Sequence, residues 1–128
     1  MLVTEGAILL PGDLERWQEL ERDDGIYAVT SAFRSRCTEA LRVVVDFVAS
    51  GGPSYAGTSW GKDSTVLAHL IWCAAEELGI EVPLVHVDCR PINNPHCHQV
   101  AAAFLERWPT RYHEEVIWCR PEWYVETG

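Results

Sequence analysis

The chain has 128 residues, 48% of them hydrophobic and 23% charged, with a formal net charge of −9. This length and composition are typical of one globular domain with a sizeable core. The acidic balance and the absence of a basic patch argue against direct nucleic-acid binding, and no apolar run approaches the roughly 18 residues that a membrane span requires.

The first part of the chain is predicted to be helical. Pro11-Gly12-Asp13 forms a turn, a short charged helix covers Leu14 to Arg22, and Asp23-Asp24-Gly25 stops that helix. A longer helix runs from Ser31 to about Ser50, because apolar residues recur there at helical spacing and Ser31 can cap it. Gly51-Gly52-Pro53 ends it.

The rest of the chain alternates strands with helices. The predicted elements are a strand over Ser54 to Ser59, a helix over Lys62 to Leu78 that Gly79 terminates, a strand over Val82 to Val87, a helix over His96 to Trp108 and a strand over Arg111 to Trp118. This order favours right-handed crossovers and a parallel sheet that helices cover on both faces. We therefore predict a single domain over residues 1–128, with N-terminal helices at 1–53, an α/β core at 54–118 and a tail at 119–128.

The turn between the first strand and its helix is a candidate anion site. It has the sequence Ser59-Trp60-Gly61-Lys62-Asp63-Ser64. The first N–H groups of a helix lack internal partners, and the helix dipole favours negative charge there. Gly61 allows close backbone approach, Lys62 can neutralise a phosphate, and Asp63 can cap the helix or hold a metal. A Walker sequence is absent, and an ordinary turn with a capped helix is the alternative interpretation.

The segment Tyr55 to Leu70, which contains this turn, resembles the PP-loop of the adenine nucleotide alpha-hydrolase superfamily. It is most similar to the phosphoadenosine phosphosulfate (PAPS) reductase family, whose signature is Ser-Gly-Gly-Lys-Asp-Ser followed by an apolar helix. The signature matches here except at Trp60, which replaces the first glycine. The resemblance covers about Ser54 to Trp118 and includes Val87-Asp88, where the family has an acidic residue at a strand end. It implies a Rossmann-like, HUP-type, three-layer α/β/α fold with a mostly parallel sheet.

The resemblance also implies a set of site residues. The phosphates of ATP or PAPS would lie among Ser59, Trp60, Gly61, Lys62, Asp63 and Ser64, with the Trp60 indole beside the ligand. Lys62 and Asp63 would be the catalytic residues. Val87 and Asp88 would lie near adenine and ribose, and Asp63 and Asp88 would hold Mg²⁺. A solvated loop carboxylate is the alternative for Asp88.

Two residues just past Asp88, Arg90 and Asn93, are candidates for substrate binding, although surface loop positions explain them equally well. A separate group of Cys89, His96, Cys97 and His98 has donor types that suit zinc. Neighbouring side chains on a helix diverge, however, and no paired Cys-x-x-Cys is present, so scattered polar and packing residues are the favoured interpretation.

Three functions fit the resemblance. The first is cleavage of ATP between its α- and β-phosphates, with pyrophosphate release and adenylation of an unspecified acceptor. The second is PAPS-reductase-like sulfonucleotide binding and sulfur transfer, but the Glu-Cys-Gly-x-His motif of those enzymes is absent and Cys119-Arg120-Pro121-Glu122 does not match it. The third is a non-catalytic nucleotide-binding or interaction subunit, which leaves open a homo-oligomer or a partner subunit.

The five cysteines show no disulfide framework spacing. The start of the chain carries no basic region of the kind that opens a signal peptide. Reduced thiols and the lack of a leader predict a cytoplasmic protein without membrane contact.

Overall fold

The structure is a computed structural model that describes residues 10–90 and 92–120. Its helices and strands, in chain order, are α1 (Asp13–Ala28), α2 (Ser31–Ala49), β1 (Ala56–Gly57), α3 (Lys62–Leu78), β2 (Leu84–Arg90), α4 (Cys97–Arg107) and β3 (Tyr112–Trp118). The chain divides into two compact units, Met1–Glu39 and Ala40–Gly128. Of the helices in the described ranges, none is long and apolar enough to cross a membrane.

The first unit contains α1 and the start of α2. The prediction that α1 stops at Asp23-Asp24-Gly25 is wrong, because the helix continues to Ala28. Gly25 does not adopt a positive φ, and it therefore has no conformation that would end the helix. Thr30 caps α2 in place of the predicted Ser31, since its Oγ1 accepts a hydrogen bond from the N–H of Phe33 at 3.2 Å.

The second unit is built on a parallel three-stranded sheet in the order β1-β2-β3. The first strand, predicted over Ser54 to Ser59, is reduced to Ala56–Gly57. The second starts at Leu84, two residues later than predicted, and extends to Arg90. Because all three strands run in one direction, their carboxyl ends meet at one edge of the sheet.

One face of β2 is buried. Leu84, His86 and Asp88 alternate along this strand and are each 1% exposed. An apolar cluster on this face joins Leu84 to Ala68 of α3 and Phe104 of α4. On the opposite face Val87 is 44% exposed. The predicted α/β fold with a parallel sheet is confirmed. Helices α3 and α4 pack on the same face of the sheet, whereas the prediction placed helices on both faces.

Helix α3 has the predicted bounds. It ends at Gly79, which caps it in the left-handed conformation at φ 65°. Ala68 contributes to the cluster under the sheet, while Ala75 packs with Val48 of α2 and Val82 in a second cluster. Packing at both positions holds the start of α3 at the edge of the sheet where β1 ends.

Candidate functional site

Thr58 connects β1 to the loop and is fixed to the central strand. Its N–H donates to the carbonyl oxygen of Val85 at 2.8 Å, and its own carbonyl oxygen lies 2.7 Å from Nδ1 of His86. Its Oγ1 accepts a hydrogen bond from the N–H of Trp60 at 3.0 Å. The buried His86 thus holds the first residue of the loop against the central strand.

Trp60 has a left-handed backbone conformation within the loop. Its φ is 59°, in the left-handed region that a side chain rarely adopts. The indole is 4% exposed and its centroid lies 5.3 Å from that of Phe104 and 5.7 Å from that of Tyr112. Its Nε1–H donates to the hydroxyl of Tyr112 at 3.2 Å. The indole was predicted to lie beside the ligand, but it lies in the core.

The first turn of α3 receives no hydrogen bond from the side chain of its N-cap position. Gly61 has an extended backbone and provides no side-chain hydrogen bond to the first turn. The nearby hydroxyls bond within the loop: Ser59 Oγ lies 3.1 Å from Ser64 Oγ, and the latter donates to the carbonyl oxygen of Gly61 at 3.2 Å. Ser59 Oγ also accepts a hydrogen bond from the N–H of Gly61 at 3.4 Å. An uncapped helix start can bind an anion, and an ordinary turn stays the alternative interpretation.

Lys62 and Asp63 extend from this helix start into solvent. Their side chains are 91% and 96% exposed, and Nζ lies 3.9 Å from Oδ1. A pair so exposed is held weakly, so both groups can turn toward a ligand at little cost. Lys62 is also the only lysine in the chain.

Asp88 is a buried and paired carboxylate rather than a solvated one. Its Oδ2 accepts a hydrogen bond from Arg90 Nε at 2.8 Å and lies 3.2 Å from His98 Nε2. The Arg90 hydrogen bond, helped by the charges of Arg90 and His98, holds the pKa of Asp88 below its ordinary value against the opposing effect of burial. Val87, predicted to join Asp88 at the ligand, points to the opposite face of the sheet.

Glu114 is a site residue that sequence reasoning missed. Its Oε2 lies 3.6 Å from His98 Nδ1 and accepts a hydrogen bond from the hydroxyl of Tyr112 at 3.0 Å. Burial, reinforced by Glu114, raises the pKa of Tyr112 to about 12, although the Trp60 hydrogen bond opposes the shift. Contacts thus run without interruption from Trp60 through Tyr112, Glu114 and His98 to Asp88.

A cavity of about 330 Å³ opens beside this cluster, and Asp88, Arg90, Asn93, His98 and Trp118 are among its lining residues. The guanidinium of Arg90 lies 6.0 Å from the centroid of the Trp118 ring. The structure therefore brings Arg90 and Asn93, the candidates for substrate binding, together with Asp88 at one cavity. The loop residues 59–64 are not among the described residues that line this cavity.

In the described part of the chain Cys89, His96, Cys97 and His98 do not gather around one point, in agreement with the favoured interpretation of scattered polar and packing residues. The Sγ of Cys97 is buried 3.7 Å from His86 Nε2, and burial raises the pKa of this thiol. His96 Nδ1 instead lies 3.4 Å from Gln99 Oε1. A different group does come together in the part of the chain that the structure describes. It consists of Asp88, His98 and Glu114, which each offer one potential metal-binding atom within 4.8 Å of the other two.

No family model, curated protein or solved structure matches this chain.

Proposed function

We propose that the chain is a PP-loop protein of the adenine nucleotide alpha-hydrolase superfamily that binds the phosphates of an adenine nucleotide at the start of α3. The observation that carries this proposal is the uncapped helix start beside an exposed lysine. Backbone N–H groups at such a position bind phosphate without further specialisation. The left-handed turn at Trp60 supports the proposal because it supplies the backbone geometry that a glycine of the PP-loop signature would allow.

The proposed reaction is attack by an acceptor nucleophile on the α-phosphorus of ATP. The bond from that phosphorus to the oxygen bridging the β-phosphate breaks, pyrophosphate leaves, and the acceptor becomes adenylated. The ammonium group of Lys62 and the N–H groups of the first turn stabilise the negative charge that develops on the departing pyrophosphate. The acceptor is held in the cavity beside Arg90 and Asn93.

Mg²⁺ reaches such a site together with ATP. Asp63 suits it, because its carboxylate is exposed at the helix start and Mg²⁺ is bound in proteins through one or two carboxylates in addition to phosphate oxygens. Asp88 suits it less well, since its side chain is only 2% exposed and Mg²⁺ dehydrates reluctantly and keeps several waters. In the proposed three-layer HUP-type fold, ribose and adenine lie along the carboxyl ends of β1 and β2.

The experiment is calorimetric titration of the whole chain with ATP and with PAPS, each with and without Mg²⁺, alongside a pyrophosphate-release assay. We expect Lys62→Ala to weaken nucleotide binding about 10- to 100-fold, because a hydrogen bond to a charged group contributes about 1.5–3 kcal/mol. Arg111→Ala is the matched control. It also removes one exposed cation, which pairs with Glu81 at 2.9 Å at the other end of the sheet, and it should bind like the wild type.

The outcomes separate the candidate functions. Pyrophosphate release that is lost in Lys62→Ala supports ATP cleavage. Tight PAPS binding without release supports sulfonucleotide chemistry, and ATP binding without turnover supports a nucleotide-binding subunit. Unchanged affinity in Lys62→Ala, or no binding of either nucleotide, overturns the proposal.

The nucleotide-binding subunit is kept as a second candidate because apolar surface is exposed in the second unit. An apolar groove of about 380 Å³ is lined in part by Phe47, Tyr55 and Leu67, whose exposed fractions are 73%, 71% and 46%. Contiguous apolar surface of this kind is typical of protein contacts. A partner subunit or a second copy of the chain would then supply what the catalytic reaction needs.

A further inference from the structure

We infer that Asp88, His98 and Glu114 form a binding site for one divalent transition-metal ion. The three side chains come from three elements, β2, α4 and β3, and each offers one donor atom within 4.8 Å of the other two. The site is separate from the loop at 59–64 and does not depend on the proposed nucleotide chemistry.

Two contacts in the cluster have the spacing that an ion requires, although they use different nitrogens of His98. Ligand atoms bound about 2.1 Å from a tetrahedral ion lie about 3.4 Å from one another. His98 Nε2 lies 3.2 Å from Asp88 Oδ2, and His98 Nδ1 lies 3.6 Å from Glu114 Oε2. Only one ring nitrogen of a histidine binds a given ion, so His98 and Glu114 must turn to bring one nitrogen and two oxygens together. Both side chains have room to turn, because they are 42% and 26% exposed.

Neighbouring groups hold two of the ligands in place. Asp88 lies in the central strand with a side chain only 2% exposed, so its position is set by the sheet. The hydroxyl of Tyr112 donates to Glu114 Oε2 and orients that carboxylate in the way that outer hydrogen bonds orient metal ligands. Asp88 and His98 also line the cavity of about 330 Å³, which leaves room beside them for water or a substrate on the ion, as in sites with three protein ligands.

The local charge favours a cation. Asp88 and Glu114 carry two negative charges, and the guanidinium of Arg90 offsets one of them. The ion displaces Arg90 from Asp88 and takes over its role as counter-charge. Arg90 can withdraw because its side chain is 43% exposed and already lies near the ring of Trp118.

The donor set selects the kind of metal. One imidazole nitrogen with two carboxylate oxygens suits Zn²⁺, Co²⁺ or Mn²⁺, whereas Mg²⁺ prefers oxygen ligands and retains its waters. The thiol of Cys97 does not belong to the site, since it is buried against His86. Zn²⁺ and Co²⁺ are therefore the appropriate probes.

The test is calorimetric titration of the chelator-treated chain with Zn²⁺, with Co²⁺ absorption spectra recorded in parallel. We expect one ion per chain, and a loss of affinity of at least about tenfold in His98→Ala and in Glu114→Gln, since removing even an outer-sphere partner costs that much. The matched controls are His113→Ala and Glu115→Gln. These residues form an exposed pair at 3.6 Å in the same strand, one position away from the inward-facing ones, and their variants should bind like the wild type.

Circular dichroism and urea unfolding establish that each variant is folded, and Glu114→Gln carries the test if His98→Ala is not. Cobalt bands that lack a thiolate-to-metal charge-transfer component support the site. A thiolate band, equal losses in the control variants, displacement of Zn²⁺ by a modest excess of Mg²⁺, or unchanged affinity in the folded ligand variants overturns it.

Discussion

At the scale of single residues, Trp60 shows how one position can serve the core and the loop at once. The backbone adopts φ 59°, which costs a side-chain-bearing residue roughly 1–2 kcal/mol. The indole is buried between Phe104 and Tyr112 and donates a hydrogen bond to the latter. Burial of a large aromatic side chain contributes more than this cost, so the unfavourable conformation persists.

We predict that Trp60→Gly destabilises the second unit although glycine is the residue of the PP-loop signature at this position. The substitution relieves the backbone but leaves a cavity, and the net loss is about 2–3 kcal/mol in the free energy of unfolding. Trp60→Phe keeps most of the ring and loses the hydrogen bond to Tyr112, which costs about 1 kcal/mol. Urea unfolding measures both values. A Trp60→Gly variant at least as stable as the wild type would show that the backbone conformation is the dominant cost.

The position and exposure of a side chain could be predicted from the sequence where they depend on residues nearby in the chain. The exposed Lys62 and Asp63 at a helix start lie where the loop sequence places them. Glu114 could not be identified, because Tyr112-His113-Glu114-Glu115 gives no indication of which glutamate faces inward. That choice depends on the register that pairs His86 with Glu114, and register is a property of the assembled sheet.

At the scale of elements, long helices with a clear apolar stripe were predicted accurately and short elements were not. Helix α3 has the predicted bounds, Lys62–Leu78. The two-residue strand β1 is too short to show an alternation of apolar and polar residues. Its limits are set by its pairing with β2. The predicted stop at Gly25 is wrong because glycine ends a helix only where the backbone turns left-handed.

We predict that the same substitution has opposite effects at two glycines. Gly79→Ala forces a side chain into φ 65° and should lower the free energy of unfolding of the second unit by about 1 kcal/mol. Gly25→Ala lies within α1 with open space around the added methyl group and should stabilise that helix by about 0.5–1 kcal/mol. Urea unfolding measures the first effect and amide exchange in α1 the second.

A control for both is Gly57→Ala, where the φ is not positive and a Cβ meets nothing within 4 Å. Like Gly25→Ala, it should be tolerated or stabilising, by up to about 1 kcal/mol. Stabilisation by Gly79→Ala, or faster amide exchange in Gly25→Ala, would contradict the assignment of these helix ends.

At the scale of the whole molecule, the described part of the second unit places two sets of polar groups near one edge of the sheet. The loop at 59–64 follows β1, and the cavity residues follow β2 and β3. The order of elements in the sequence predicts this shared edge, because parallel strands end together. It does not predict that Trp60, Tyr112 and Glu114 connect the two sets, since those contacts depend on side-chain packing across β3.

The stability of the molecule should depend on pH through Asp88. Its pKa is lowered in the folded chain, chiefly by the Arg90 hydrogen bond. A carboxyl group of this kind adds stability above its unfolded pKa and loses that contribution as pH falls through the folded pKa. We therefore expect the difference in unfolding free energy between the wild type and Asp88→Asn to be full at neutral pH and to shrink below about pH 4.

Urea unfolding in steps from neutral to acidic pH measures this difference. Asp63→Asn is the control, because it removes a carboxylate that is 96% exposed and only weakly paired with Lys62, and it should unfold like the wild type. A difference between the wild type and Asp88→Asn that stays constant over the acidic range would mean that the Arg90 contact does not stabilise the ionised form.

The inward orientation of the Trp60 indole has a consequence for variation among related sequences. Positions 60, 104 and 112 fill one common volume, so a relative that carries glycine at position 60 must enlarge the residues at the other two positions or shift α4 inward. The three positions are then expected to covary as a set.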